Sequence, residues 1–378
     1  MKRRRFVAGA ARAVAAAGLA AATLPAPALA QGKRELRMVT TWPRDFPGLG
    51  TAAQRLADSI TAMSGGRLTV KVHAAGELVP PFESFDAVSG GAAEMYHAIE
   101  YYWQDRSRAF NFFAAVPFGL TASEMAAWIY EGGGQALWDE LAAGFNVKPF
   151  QVGNTGVQMG GWFNRQINGL ADFKGLKMRM PGLGGEVVQR IGAVTVSLPG
   201  AKIFPSLHSG AIDASEWGGP WNDLELGLYK VAKYYYYPGF HEPGTALSAG
   251  VNLKLWRSLG ADDQALIAHA MAAENARATA EYNARNAAAL ETLRRKHKVD
   301  LRRFPDDVLR AAGACVGRNS MQIMLPINPA KQADARNRRN RREAPRQPKA
   351  IRLRCRGRSG CNSRAAGRYE HSIGRFNS

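Results

Sequence analysis

Cysteine is nearly missing from this chain. Cys315, Cys355 and Cys361 are the only three, and residues 1–314 hold none. A thiol-free body has no disulfide scaffold, no thiolate nucleophile and no cysteine-built zinc site, and it suits an oxidising compartment where stray thiols are a hazard. Closely spaced histidines are missing too. His73, His97, His208, His241 and His269 stand far apart and His297 sits on a charged helix end, so no metalloprotease helix is suggested. Each reads as a surface or satisfied core residue rather than a ligand. There is no Gly-x-Ser-x-Gly nucleophile elbow. Gly182-Leu183-Gly184-Gly185-Glu186 resembles a phosphate loop but lacks the Lys-Ser/Thr of a P-loop and the later glycine of a dinucleotide site, so it reads as a helix start. With nucleophile, base pair and cofactor motif all lacking, the expectation is that the chain is not an enzyme.

Excess charge is also lacking where it would matter for nucleic acid. Of the formal net charge of +19, residues 317–378 carry +13 and residues 1–30 carry +5, which leaves +1 for residues 31–316. A face for phosphate backbones shows as clustered basic excess on the folded body. The body is close to neutral, and no nucleic-acid partner is expected.

The chain does have an apolar composition of 46% and a length of 378 residues, enough for two lobes with a core each. Residues 1–30 read as an export signal. Lys2 to Arg5 form a basic start, an Ala/Val/Leu-rich stretch follows, and Ala28-Leu29-Ala30 satisfies the small-residue rule for cleavage near Ala30. Arg3-Arg4-Arg5-Phe6-Val7 fits the twin-arginine core, with a general secretory signal as the alternative. The expected destination is the periplasm.

In the body, Glu35–Trp42, Leu68–Val72 and Glu94–Ile99 alternate as strands, with helical spacing at 52–63 and around Phe85 and Val88 between them. This β-α-β-α-β run predicts a parallel sheet with helices on both faces. Thr121–Glu131 and a segment through Leu137 and Leu141 read as helices interrupted by Gly132-Gly133-Gly134. Ala261–Lys296 is one long helical stretch with Ile267, Met271, Ala278, Tyr282 and Ala289 on one face. The fold class expected is α/β: two lobes with a hinge cleft and a long bracing C-terminal helix. Its divisions are an export signal at 1–30, a first lobe at 31–155 with strands exchanged from later segments, a second lobe at 156–245, a crossing segment and long helix at 246–316, and a tail at 317–378.

Four short segments could carry binding chemistry. Arg179 lies on an alternating strand just before Pro181-Gly182, and its planar fork can give a carboxylate two parallel hydrogen bonds; the alternative is an arginine on an exposed strand edge. Glu216 and Trp217 follow a short strand and precede Gly218-Gly219-Pro220. A carboxylate beside a large aromatic there could hold a hard cation and wall an apolar pocket, or be a surface Glu next to a core Trp. Gln158 sits among glycines that let the backbone approach a ligand, and its amide can face both a cation and a carboxylate. Glu242 occupies the turn Pro238–Gly244.

Taken in order, these segments resemble the solute-binding proteins of tripartite ATP-independent periplasmic (TRAP) transporters, in particular the branch that binds 2-oxo acids such as pyruvate. The resemblance runs from about Arg34 to about Ala312 and includes Tyr101-Tyr102-Trp103, Ala115 to Leu120, Asn154-Thr155-Gly156, Gln158 to Phe163, the Arg179 segment, Ile212 to Trp217 and Tyr234 to Gly244. It implies that Arg179 pairs with the carboxylate of a small 2-oxo monocarboxylate, with Gln158, Trp217 and Glu242 also contacting it. It implies further that Gln158, Glu216 and Trp217, the last through its carbonyl, hold a sodium or calcium ion. The implied partners are the TRAP membrane subunits, signalled by closure of the lobes.

Beyond about Cys315 the resemblance stops. Of the 16 basic residues in 317–378, 14 are arginine, as in Arg338-Arg339-Asn340-Arg341-Arg342. Out-of-frame reading of a GC-rich gene gives such text, so a frameshift near 313–320 is the hypothesis, with a genuine basic tail for nucleic acid or anionic lipid as the rival; an intact frame on resequencing would end the frameshift. Relatives of this branch use their last helices in a swapped dimer, so a homodimer is doubtful with this tail.

Overall fold

The computed structural model describes residues 33–323, with side chains described to residue 316. The export signal expected at 1–30 and the Arg-rich tail beyond residue 323 lie outside them.

Two sheets organise the body. The first has strand order β2-β1-β3-β10-β4, where β1 is Arg34–Thr40, β2 Leu68–His73, β3 Met95–Ala98, β4 Val147–Asn154 and β10 Ala246–Asn252. Alternation along β1 sends Leu36 and Met38 to one face and Val39 to the other. Leu36 and Met38 join a core with Ala53, Leu56, Ala57 and Ile60, while Val39 joins one with Phe85 and Val88. The spacing 53-56-57-60 puts one stripe of helix Gly50–Met63 against the sheet. Fully burying a side chain such as Leu56 is worth about 1.5–3 kcal/mol. Helix Ser84–Gly90 covers the opposite face and ends on Gly91 at φ +84°, a left-handed cap that glycine adopts without a Cβ clash.

The β-α-β-α-β run is present, and β1 and β3 pair in parallel. The expected parallel sheet is nevertheless mixed: β10 inserts between β3 and β4 and runs antiparallel to both. Local periodicity could not reveal this, because the pairing joins segments far apart in sequence.

The second sheet has the order β11-β9-β5-β8-β6-β7, built from β5 Gly161–Phe163, β6 Lys177–Arg179, β7 Val194–Val196, β8 Ala214–Ser215, β9 Tyr234–Tyr237 and β11 Asp300–Arg303. It too is mixed, with β5 antiparallel to β8 and β9 and the remaining pairs parallel. Phe163, Met178, Tyr236, Phe240 and Phe304 pack on it.

Helix Ala261–Arg295 packs against β4, helix Gly50–Met63 and the short helix Pro220–Glu225. The predicted face, Ile267, Met271, Ala278, Tyr282 and Ala289, is buried throughout. Asp262 and Asp263 in the first turn and Arg294 and Arg295 in the last complement the helix dipole. Polar bonds from this helix reach the neighbouring segments: Asn286 Nδ2 donates to the Thr155 carbonyl at 2.9 Å and the Tyr282 hydroxyl to Asn222 Oδ1 at 2.9 Å.

Candidate functional site

Arg179 closes β6 with β7 on one side and β8 on the other. It is 0% exposed, which rules out the reading of an arginine on an exposed edge. Its Nε donates to the Leu198 carbonyl at 3.2 Å and its Nη1 to the Glu216 carbonyl at 3.0 Å. Nη1 also bonds the Glu216 carboxylate through Oε1. Nη2 has no hydrogen-bond partner among the described residues. The guanidinium lies 5.2 Å from the Trp217 ring centroid, within reach of a cation–π contact.

Glu216 follows directly on β8, and the parallel register Arg179↔Ser215 places the two charges side by side. It is 0% exposed, so the surface reading fails here as well. Burial opposes its charge, but Arg179 first and His241 next outweigh it and hold the carboxyl below its ordinary range. Its Oε2 has no hydrogen-bond partner among the described residues. The Trp217 ring meets Trp42 and Phe46 edge-on at 6.3 and 6.4 Å.

Gln158 and Glu242 meet through Thr245. Gln158 Nε2 donates to Thr245 Oγ1 at 2.9 Å and to Thr155 Oγ1 at 3.1 Å, and the Thr245 hydroxyl donates to Glu242 Oε2. With its amide nitrogen so engaged, Gln158 Oε1 is left without a partner. The two loops touch closely: a Cβ on Gly239 would lie 2.2 Å from the Gln158 carbonyl oxygen, so only glycine fits there. Burial, and then the like charge of Glu216, pushes the Glu242 carboxyl up to about 7.

All five predicted residues, Gln158, Arg179, Glu216, Trp217 and Glu242, are therefore buried in one cluster. Sequence reasoning missed three further members. Thr245 bridges Gln158 to Glu242. Tyr102, in the turn Glu100–Trp103, feels the charges of Arg179, Glu216 and Glu242, though burial is the main reason its hydroxyl is pushed up to about 12. His241 was expected to be a surface or satisfied core residue. It is 1% exposed, neither ring nitrogen has a hydrogen-bond partner, and its Nε2 stands 3.5 Å from Glu216 Oε2. A lone histidine gives no sign of this in sequence; its position next to Glu242 was the only available signal.

Arg179 Nη2, Glu216 Oε2 and Gln158 Oε1 are buried polar atoms without a hydrogen-bond partner among the described residues, at about 1–3 kcal/mol each when buried without one. A cluster held only for stability would close such gaps. Arg179 can donate to an anion, while the Glu216 and Gln158 oxygens suit a hard cation such as sodium or calcium. A cavity of about 240 Å³ lies beside this cluster, not over it. Phe82, Tyr101, Tyr102, Pro181 and Ser197 are among the residues that line it. Arg179 and Glu216 themselves are both 0% exposed.

The profile of the DctP family, bacterial extracellular solute-binding protein family 7, matches residues 38–317. The chain belongs to this family. Its members are solute-binding subunits of transport systems, and the two-lobed fold is the one their solved structures share. The monocarboxylate 2-oxoacid-binding periplasmic protein of Nostoc sp. is 45% identical over 260 residues, 68% of this chain and 70% of that protein. A TRAP periplasmic solute-binding protein from Pseudoalteromonas atlantica, solved with bound sodium and pyruvate, is 38% identical. It covers 77% of this chain and 88% of its own, with a TM-score of 0.75. One from Colwellia psychrerythraea, solved with calcium and pyruvate, is 35% identical and covers 82% and 98%, also at 0.75.

Proposed function

We propose that this family member captures a small 2-oxo monocarboxylate of the pyruvate type, together with sodium or calcium, and delivers it to TRAP membrane subunits. It acts in the periplasm as a binding protein and not as a catalyst. The observation that carries this reading is the incompletely bonded Arg179–Glu216 pair, buried at 0% exposure on both sides. Arg179 recognises the carboxylate through its free Nη2. Gln158, Glu242 and the Trp217 ring contact the acid. Gln158 Oε1, Glu216 Oε2 and the Trp217 carbonyl hold the cation, which neutralises charge around the bound acid. A carboxylate held between a guanidinium and a cation is well enough compensated for burial to be tolerable. Names and ligands of the 35–45% identical relatives support the same class of acid.

The lobes at 31–155 and 156–245 close over the ligand by a hinge, and the closed form is what the membrane subunits read. Calorimetry with pyruvate, 2-oxobutyrate, lactate and succinate, each with and without sodium or calcium, tests the proposal. Tightest binding of the 2-oxo acids with a cation present is expected. Preference for lactate or succinate would move the substrate class, and no uptake of any acid would end the reading.

A further inference from the structure

We propose that Asp223 is a positioning residue: it fixes the Trp217–Gly218 peptide so that the Trp217 carbonyl oxygen is presented to the cation. The inference rests on the function proposed above, in which that carbonyl is a cation ligand. Asp223 is 1% exposed, on the first turn of helix Pro220–Glu225. Its Oδ1 accepts from the Gly218 backbone N–H at 3.2 Å. Its Oδ2 accepts from Trp162 Nε1 at 3.0 Å and from the Tyr235 hydroxyl at 2.6 Å. A trans peptide is planar, with its N–H and C=O pointing in opposite directions, and this peptide is trans. Holding the Gly218 N–H therefore sets the direction of the Trp217 oxygen.

The flanking carbonyls are already engaged. That of Glu216 accepts from Arg179 Nη1 at 3.0 Å and from Ser215 Oγ at 2.8 Å, and that of Gly218 from the Met159 N–H at 3.5 Å. No donor among the described residues reaches the Trp217 carbonyl between them. Met159 adjoins Gln158, so the same clamp joins the segments of two proposed cation ligands. The chemistry also calls for an acid at 223. Trp162 Nε1 and the Gly218 N–H can only donate, and they approach different oxygens. A carboxylate accepts on both, whereas an amide sets its NH2 against one of them. Burial pushes the Asp223 carboxyl up to about 7, with Glu216 adding to the rise, so stability alone would favour a neutral group here. A carboxylate on the N–H end also leaves the carbonyl oxygen more negative, because chained hydrogen bonds polarise one another.

Calcium chloride is titrated into the full-length protein, stripped with chelator and holding excess pyruvate. Asp223→Asn should bind calcium roughly tenfold or more weakly than the wild type. Tyr235→Phe removes a hydrogen bond from the same carboxylate but leaves the Gly218 contact, so its calcium affinity should stay close to wild type whatever it loses in urea stability. Trp217-Gly218 is the only Trp-Gly pair in the sequence, so carbonyl-labelled tryptophan with nitrogen-labelled glycine gives one NMR cross-peak from that peptide. Its amide proton should lie downfield, as for an N–H on a carboxylate, and lose that shift in Asp223→Asn. Its carbonyl signal should move when calcium is added. Unaltered calcium affinity in Asp223→Asn, an equal loss in Tyr235→Phe, or a carbonyl signal that calcium leaves in place would overturn the assignment. If Asp223→Asn does not fold, the wild-type spectrum decides alone. A wild type that takes up no acid with any cation would end the proposed function; calcium-dependent uptake alongside one of the overturning results would end this inference alone.

Discussion

Two arginine–carboxylate pairs in this molecule, one partly and one fully buried, differ in how completely they are bonded. Arg55, on helix Gly50–Met63, grips Glu274 of the long helix with two groups. Nε donates to Oε2 at 2.9 Å, Nη2 to Oε1 at 2.6 Å, and Nη2 reaches Glu281 at 3.1 Å as well. Side-chain exposures are 18% and 4%. Arg179 and Glu216 are buried more deeply, yet the guanidinium uses only Nη1 on the carboxylate, and Nη2 and Glu216 Oε2 have no hydrogen-bond partner among the described residues. Taking charges out of water costs several kcal/mol per ion, which a pair recovers only when its remaining donors and acceptors are satisfied. The saturated pair fastens one helix to another. The unsaturated pair is arranged for something else to bind.

The largest effect that would break this contrast is on ligand affinity. Arg179→Met should weaken pyruvate binding by at least about 100-fold while circular dichroism stays native, because the acid then lacks its cation partner; affinity near wild type by calorimetry would remove the assigned role. Arg55→Met should do the opposite. Losing the partner of buried Glu274 should lower stability by about 3 kcal/mol in urea unfolding, with pyruvate affinity close to wild type.

A third buried carboxyl sharpens the comparison, since no cation pairs with Glu100 among the described residues. The Tyr96 hydroxyl donates to its Oε1 at 2.7 Å, and burial pushes its pKa from an ordinary 4.5 up to about 7. The folded protein thus keeps a proton that the unfolded chain gives up. Glu100 therefore contributes stability that is fully present below pH 4.5 and is lost as pH rises through about 7. Glu100→Gln should remove that slope, a change on the order of 2–3 kcal/mol between pH 4.5 and 8, read as urea midpoints for both proteins at each pH. The smallest effect belongs to the exposed pair Arg106–Asp86, where both side chains are 46% exposed. Asp86→Ala should leave the melting temperature unchanged within error, because solvent and salt already screen that contact.

Short-range patterns singled out the candidate residues, but each had a bland reading alone, and only the resemblance to the family joined them into one site. Arg179 ends an alternating strand, Glu216 follows another, and Gln158 and Glu242 lie in glycine-rich turns. The 35-residue helix Ala261–Arg295 was plain from its spacing. What escaped were facts set by distant pairing. Neither the antiparallel insertion of β10 nor the pairing of β11 with β9 leaves a local mark. His241 looked like any isolated histidine until the loop at 238–244 folded it against Glu216. Thr245 is a common residue type whose role depends wholly on Gln158 and Glu242 closing on either side.

The structure of a pyruvate complex tests the central claim most directly. With the acid and calcium bound, a second contact from Arg179 should run to the carboxylate through Nη2, with the cation against Glu216 Oε2 and Gln158 Oε1. Pyruvate bound elsewhere, with Arg179 and Glu216 still paired as they are now, would contradict the account.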